Sequence, residues 1–236
     1  MVSPEIPPEE VQRIAKKYHL NPPSPKHESN IIYRDGPAWR KAPLQQGPLA
    51  CRRDGWETEI ERFVLPVVPH VGIGPLKLGM SPDEILDAVR GLRTHWDSQG
   101  RYKFNVSKDR GQGFYIRYSD VFSLFMVRYI DNQAAEIAVD SGLKDCADVM
   151  LDKINVFETP AEEVITALKQ SSPCSCDSED EQLGTEYEFH DMGIRFWREE
   201  PFHKKLLSDK AYMEEMKLCI NDMFQYLYFQ VVAVMQ

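Results

Sequence analysis

The same local order occurs twice in this chain: a capped helix start, then a series of strand-like runs. Ser81, Pro82 and Glu84 stand at the N-cap, first and third positions expected of a capping box, with Ile85, Leu86, Ala88 and Val89 as the apolar stripe behind them. Thr159, Pro160 and Glu162 repeat that arrangement ahead of Val164, Ile165 and Leu168, with the stripe displaced by one residue relative to the cap. After the first helix come "YKFNV" (102–106), "FYIRYSD" (114–120), "VFSLFMVRYI" (121–130) and "AEIAVDS" (135–141). After the second come "EYEFHD" (186–191), "GIRFWRE" (193–199) and "FQYLYFQVVAVM" (224–235). Several runs alternate apolar with polar residues, the mark of an antiparallel sheet with one covered face. A single short meander buries too little apolar surface to stand alone. The expected fold is therefore α+β: two tandem helix-plus-antiparallel-β-meander units, 71–142 and 144–236, sharing one core. An insertion at 201–222, partly helical, interrupts the second unit.

Thirteen of the 16 prolines lie in the first 82 residues, so residues 1–70 read as an extended Pro-rich N-terminal arm. Within it, "PEEVQRIAKKY" (8–18) spaces Val11, Ile14, Ala15 and Tyr18 as one face of a short amphipathic helix that needs a surface to pack on.

Charge is distributed unevenly. The net charge is −9, yet residues 1–62 hold 10 Lys+Arg against 9 Asp+Glu, so the acidity belongs to the rest of the chain. Residues 170–194 contain no Lys or Arg, and Asp177, Glu179, Asp180, Glu181, Glu186 and Glu188 fall inside them. Such a surface repels nucleic acid and attracts a basic partner; it is equally what a solvated acidic loop looks like. The five cysteines lack a regular framework spacing, as in a reducing compartment; the first 20 residues show no apolar h-region and no stretch of 18 apolar residues occurs, so neither a signal peptide nor a spanning helix is expected. A cytoplasmic location without membrane attachment is expected.

The glycine-rich stretch "GIGPLKLGMS" is not a phosphate loop. Gly74 and Gly79 have the P-loop spacing, but Met80-Ser81 follow where Lys-Ser/Thr is required, and Lys77 lies inside the loop. Leu76, Leu78 and Met80 are instead expected to bury apolar surface there.

"LKLGMSPDEILDAV" resembles the L-x-x-G-M-[ST]-x-x-E-V segment of bacterial proteins built from helix-then-meander units, among them small outer-membrane assembly lipoproteins and tandem-repeat β-lactamase inhibitor proteins. The two-unit order with "GIRFWRE" is similar to the phagophore assembly factor family. The resemblance covers 70–236 as an arrangement and Leu78–Val89 as a motif. It implies a mostly non-catalytic binding role. The lipoproteins' N-terminal lipidated cysteine has no counterpart in this chain.

Candidate chemistry is sparse. Cys174, Cys176 and His190, with His203 beyond, form a poor version of a zinc pattern, since C-x-C lacks the usual spacing for two ligands to close on one ion. His190 next to Asp191 could be an oriented base, but no nucleophile elbow accompanies it. The aromatic sets Phe122, Phe125, Tyr129 and Tyr226, Tyr228, Phe229 are expected in the sheet core. Trp197 with Arg198 has the composition of a binding hot spot if its strand face is exposed. The expectation is a non-enzymatic protein-binding module of immunity type, without cofactor or metal, meeting a basic partner through Asp177, Glu179, Asp180, Glu181, Glu186, Glu188, Trp197 and Arg198. The alternatives are a scaffold or trafficking factor and a small metal-dependent hydrolase.

Overall fold

A computed structural model describes residues 62–100, 102–109, 114–120 and 123–236. The helix expected at 8–18 and Phe122 lie outside the described residues. The fold is α+β. β1 (Phe63–Val68), β2 (Gly72–Ile73) and β3 (Leu76–Lys77) precede helix α1 (Pro82–Arg93), after which β4 (Asn105–Asp109), β5 (Phe114–Ser119), β6 (Ser123–Ile130) and β7 (Gln133–Asp140) form a meander. β8 (Ala147–Leu151) and β9 (Ile154–Asn155) then lead into α2 (Ala161–Leu168), and β10 (Ser175–Cys176), β11 (Glu186–Phe189), β12 (Ile194–Trp197) and β13 (Val231–Met235) follow. The first five-stranded sheet has the order β3-β2-β1-β8-β9, with β1 and β8 parallel. The eight-stranded sheet is antiparallel throughout, in the order β10-β11-β12-β13-β7-β6-β5-β4.

One continuous core lies under both sheets. Leu65 and Val67 of β1, Ile85, Val89 and Leu92 of α1, Val164, Ile165 and Leu168 of α2, and Ile116, Val127, Ile137, Val139, Phe189, Phe196, Val232 and Val234 of the large sheet all belong to it. Each strand contributes alternate residues, as the pleat requires.

The first capping box forms as expected. The Ser81 N–H donates to Glu84 Oε2 at 2.8 Å and Ser81 Oγ accepts from the Glu84 N–H at 3.4 Å. The second does not form. Pro160 itself takes the N-cap position of α2 and no side chain caps the helix. Glu162 is occupied elsewhere, 3.1 Å from His203 Nε2, so the one-residue displacement of the stripe was the true register.

Two further expectations need correction. The arm does not extend to residue 70: β1 is already the middle strand of its sheet, and Pro66 and Pro69 disguised it as connector. Pro66 is accommodated because its carbonyl, which accepts from the Gly74 N–H at 2.7 Å, carries the local bond. The run 224–235 is a strand only from Val231. Phe224–Leu227 is a 3₁₀ turn whose Phe224, Tyr226 and Leu227 join Phe202, Leu207, Met213, Ile220 and Met223 in a second small core. That core holds the insertion, which contains a 3₁₀ turn (Lys204–Ser208) and short helices α3 (Lys210–Glu215) and α4 (Ile220–Met223).

The glycine-rich stretch is a packing device. Gly72 has φ +148°, and a Cβ there would stand 2.1 Å from the Leu76 carbonyl oxygen; at Gly74, φ +55°, it would stand 2.3 Å from Leu65 Cδ1. Glycine is required for the β2-β3 ribbon to close on β1.

Asp140, half-buried at the end of β7, accepts from the Gly142 N–H at 2.8 Å. Burial pushes its carboxyl up to about 6, against the pull of that bond and of Lys144 and Arg117. A carboxyl raised in the folded state contributes its stability fully below the unfolded pKa of about 4 and loses it as pH rises through about 6. Asp140→Asn, which keeps the acceptor, should therefore gain on the native protein by of order 1–3 kcal/mol between pH 4 and pH 7. Urea unfolding of both proteins across that range checks this, and a pH-independent difference would refute it.

Candidate binding face

Among the described residues, the outer surface of the eight-stranded sheet is partly exposed on its β11-β12 side, whereas Glu136, Ala138 and Ala233 at its centre are buried. Alternation and register place Ser175, Glu186, Glu188, Arg195, Trp197, Val231, Met235, Glu136, Met126, Arg128, Tyr115 and Arg117 on it, opposite the core. Trp197 is 38% exposed. Ala138 and Ala233, paired where β7 meets β13, form a low floor beneath the longer chains.

A row of charges crosses this face. Glu136, 2% exposed, accepts from Arg128 Nε at 3.0 Å on one side and is bridged by Arg195 on the other. Arg195 Nη1 lies 3.5 Å from Glu186 Oε1. The face is thus two-signed: Arg117 and Arg128 on the β5-β6 side, Glu186 and Glu188 on the β11 side, with an apolar strip of Met126, Val231, Met235 and Trp197 between and beside them. A buried carboxylate shared by two guanidiniums fixes the strands that carry them.

Of the residues expected to meet a partner, Glu186, Glu188 and Trp197 lie on this face, and Glu179 is exposed in the loop beside it. The others are engaged within the chain. Asp177 accepts from the N–H groups of Thr185 at 2.8 Å and Glu186 at 3.1 Å and from the Thr185 hydroxyl. Burial would raise its carboxyl, but these bonds outweigh it and hold it below the usual range. Asp180 pairs with Lys205, which holds its carboxyl low, and also accepts from the Gln182 N–H. Glu181 receives Lys169 Nζ at 2.7 Å. The acidic loop has folded on its own lysines and amides, which charge counting along the sequence does not reveal.

Arg198 is a correction. It is 1% exposed, so it is no contact residue. Its guanidinium donates to the carbonyls of Gly184 (2.7 Å), Phe202 (2.7 Å), Gln182 (2.9 Å) and Tyr226 (3.1 Å) and to the Tyr187 hydroxyl (3.0 Å). It ties the acidic loop, the end of β12 and the insertion to one point.

The Cys174, Cys176, His190 grouping also fails to assemble. Cys174 and Cys176 share the inner face of the edge strand and pack against the core, whereas His190 reaches Ser175 on the outer side. Burial pushes the Cys174 thiol up to about 11 and raises Cys176 as well, away from the thiolate that a metal requires. Among the described residues no three His, Cys, Asp or Glu side chains are arranged to hold a metal. His203 accepts from the Lys205 N–H at Nδ1 and faces Glu162 with Nε2. Phe125, Tyr129 and Phe229 are buried in the main core, as expected, whereas Tyr226 lies in the small core of the insertion and Tyr228 packs against it.

One constellation was not foreseen. Ser175 Oγ stands 3.2 Å from His190 Nε2, and His190 Nδ1 stands 3.1 Å from Glu188 Oε1. The orienting carboxylate is Glu188 rather than the adjacent Asp191. Only the β10-β11 register, Ser175 opposite Glu188, brings these three together.

No helix among the described residues is long and apolar enough to cross a membrane. Compared with protein-family models, curated proteins and solved structures, the chain gives no significant match.

Proposed function

We propose that this chain is a non-enzymatic protein-binding module of immunity type. It would consist of two tandem helix-plus-meander units joined where β7 meets β13 and would neutralise a basic protein partner in the cytoplasm. The observation that carries the reading is the open sheet face with Trp197 exposed beside Arg195, Glu186 and Glu188. A rigid aromatic flanked by paired charges over an apolar strip has the composition of an interface centre. Of the acids on this surface, Glu179 is exposed, and Glu186 and Glu188, although beside Arg195 Nη1 and His190 Nδ1, remain partly exposed toward a basic partner. Contact would therefore centre on the β11-β12 side of the face rather than on the whole 177–188 loop.

The test is affinity capture of the tagged protein from its host at moderate salt, with Trp197→Ala beside it. A stoichiometric basic protein bound by the native chain should lose about 30-fold or more in affinity to the variant, the effect of removing a hot spot of about 2 kcal/mol. Equal binding by both proteins would move the interface elsewhere, and capture of nothing by either would remove the reading.

The scaffold or trafficking reading needs a basic lipid-facing patch. The one candidate, 203–205, is spent in part: His203 is turned to Glu162 and Lys205 to Asp180. The hydrolase reading has one observation in its favour, the Ser175, His190 and Glu188 chain, in which a serine, a base and an orienting carboxylate stand in hydrogen-bond sequence. In a metal-free form, it predicts turnover of p-nitrophenyl acetate that Ser175→Ala abolishes. Equal rates for the two proteins would dismiss it.

A further inference from the structure

Among the described residues the five-stranded sheet also has an exposed outer side, apolar along β1 and flanked by Arg62 and Asp148. Along β1 the residues turned away from the core are Val64, Pro66 and Val68; Val64 is 62% exposed and Val68 37%. Met150, opposite Pro66 on β8, extends the stripe sideways, and Val71, 44% exposed, continues it past the end of the strand. Leu65, Val67, Val149 and Leu151 on the other side are buried, so the sheet is covered on one face alone. Single exposed valines are ordinary, but a contiguous apolar stripe along a central strand is not.

We propose that this stripe is the docking site of the chain's own N-terminal segment, residues 8–18. Sixty-one residues precede Arg62, and they enter the described structure at the head of the stripe, two positions before Val64. They include the periodic run with Val11, Ile14, Ala15 and Tyr18 on one side. Eleven helical residues span about 16 Å at 1.5 Å each, and Val64 to Val68 spans about 13 Å of strand, so one helix matches the stripe in length. A helix laid on the free side of a sheet is the ordinary way to complete a layer.

Arg62 supplies a direction. It lies on the stripe's side of β1, where it binds Asp148 at 2.6 Å and Glu158 at 2.9 Å, while its Nε is closed off from water and has no acceptor among the described residues. Glu9 and Glu10 open the segment and Lys16 and Lys17 close it. Arg62, Asp148 and Glu158 together carry one net negative charge, so the favoured direction is antiparallel to β1, which brings Lys16 and Lys17 to that end; at the other end the Asp152-Lys153 turn carries one charge of each sign. The roughly 40 residues between the segment and Arg62, at up to about 3.4 Å each, are long enough to return to β1. Such a tether holds the segment near the stripe at an effective concentration of order millimolar, so a weak contact suffices. A second copy of the chain would have to compete with that.

The experiment uses the full chain with the photo-cross-linker p-benzoylphenylalanine in place of Val64. Irradiation should give intrachain cross-links to residues 8–18, in a yield independent of protein concentration. Cross-links between two chains would assign the stripe to a second copy, and cross-links elsewhere in the chain would also overturn the proposal. In parallel, trypsin cleavage after Arg13, Lys16 and Lys17 in the native protein should speed up tenfold or more in both Ile14→Asp and Val64→Asp/Val68→Asp. Both variants alter exposed or arm residues and should leave the thermal midpoint of the body in place. Unchanged cleavage in either variant would overturn the docking.

Discussion

Arg198→Met should lower folding stability by about 3–5 kcal/mol, the range found when one partner of a buried charged network is removed. The methionine replaces the guanidinium's volume but leaves four carbonyls, those of Gly184, Phe202, Gln182 and Tyr226, and the Tyr187 hydroxyl short of a donor. Each buried acceptor left without a partner costs on the order of 1–3 kcal/mol before the structure relaxes. Relaxation has an obvious route: the loop around Gln182–Gly184 and the 3₁₀ turn at Tyr226 both sit near the surface and can admit water. For that reason the net loss is set at the network value and not at the sum. Arg198→Lys should recover little, because three tetrahedral donors cannot reproduce a planar fork that serves five acceptors. Urea unfolding measures the loss, and amide exchange should show the loop and the insertion loosening together. A variant within 1 kcal/mol of the native protein would mean that the hub is not what joins them.

The neighbouring pair gives the second large effect. Phe196→Ala should cost about 3–5 kcal/mol, as truncating a fully buried phenylalanine generally does. Its ring stacks on Phe229 at 4.8 Å and meets Phe189 edge-on at 6.0 Å, with no exposed surface of its own. Trp197→Ala, one residue on, should change stability by less than about 1 kcal/mol, since the side chain stands on the open face. Two adjacent aromatic residues thus separate folding from binding, and thermal or urea melts of both variants check the contrast. Comparable losses at the two positions would place Trp197 in the core and withdraw it from the binding face.

Features with short-range causes were legible in the sequence. The Ser81 and Glu84 box depends on atoms three residues apart, and the alternation in Tyr115-Ile116-Arg117-Tyr118 depends on the pleat alone, so both were readable. The second box does not form because Glu162 has a better partner in His203, forty-one residues later. β1 was hidden by its prolines, since a parallel strand with an interrupted donor row does not look like one in isolation. The aromatic run at 224–229 looked like strand by composition, but the small core around Phe202 bends it into a turn. Arg198 reads as a surface residue beside Trp197 because composition does not distinguish an arginine that binds a partner from one that binds its own carbonyls. The site residues Ser175, Glu188 and His190 carry no joint signal along the chain; strand register creates their proximity.

The strand order has a consequence for how the protein is made. The large sheet is held at its middle by β7 and β13, whose paired residues, such as Val139 and Val232, are about ninety positions apart in the chain. During synthesis β4 to β7 emerge early, and β10 to β12 later, yet neither group can join the other until residues 231–235 have left the ribosome. Meanwhile β7 and β12 each present a row of unpaired amides and carbonyls, and β7 is nearly apolar on both sides. Long-range pairing of this kind is slow, and open apolar edges recruit other chains. A nascent chain stalled before Val231 is thus the form of this protein most in need of a chaperone, and β13, which emerges after β4 to β12, closes the sheet.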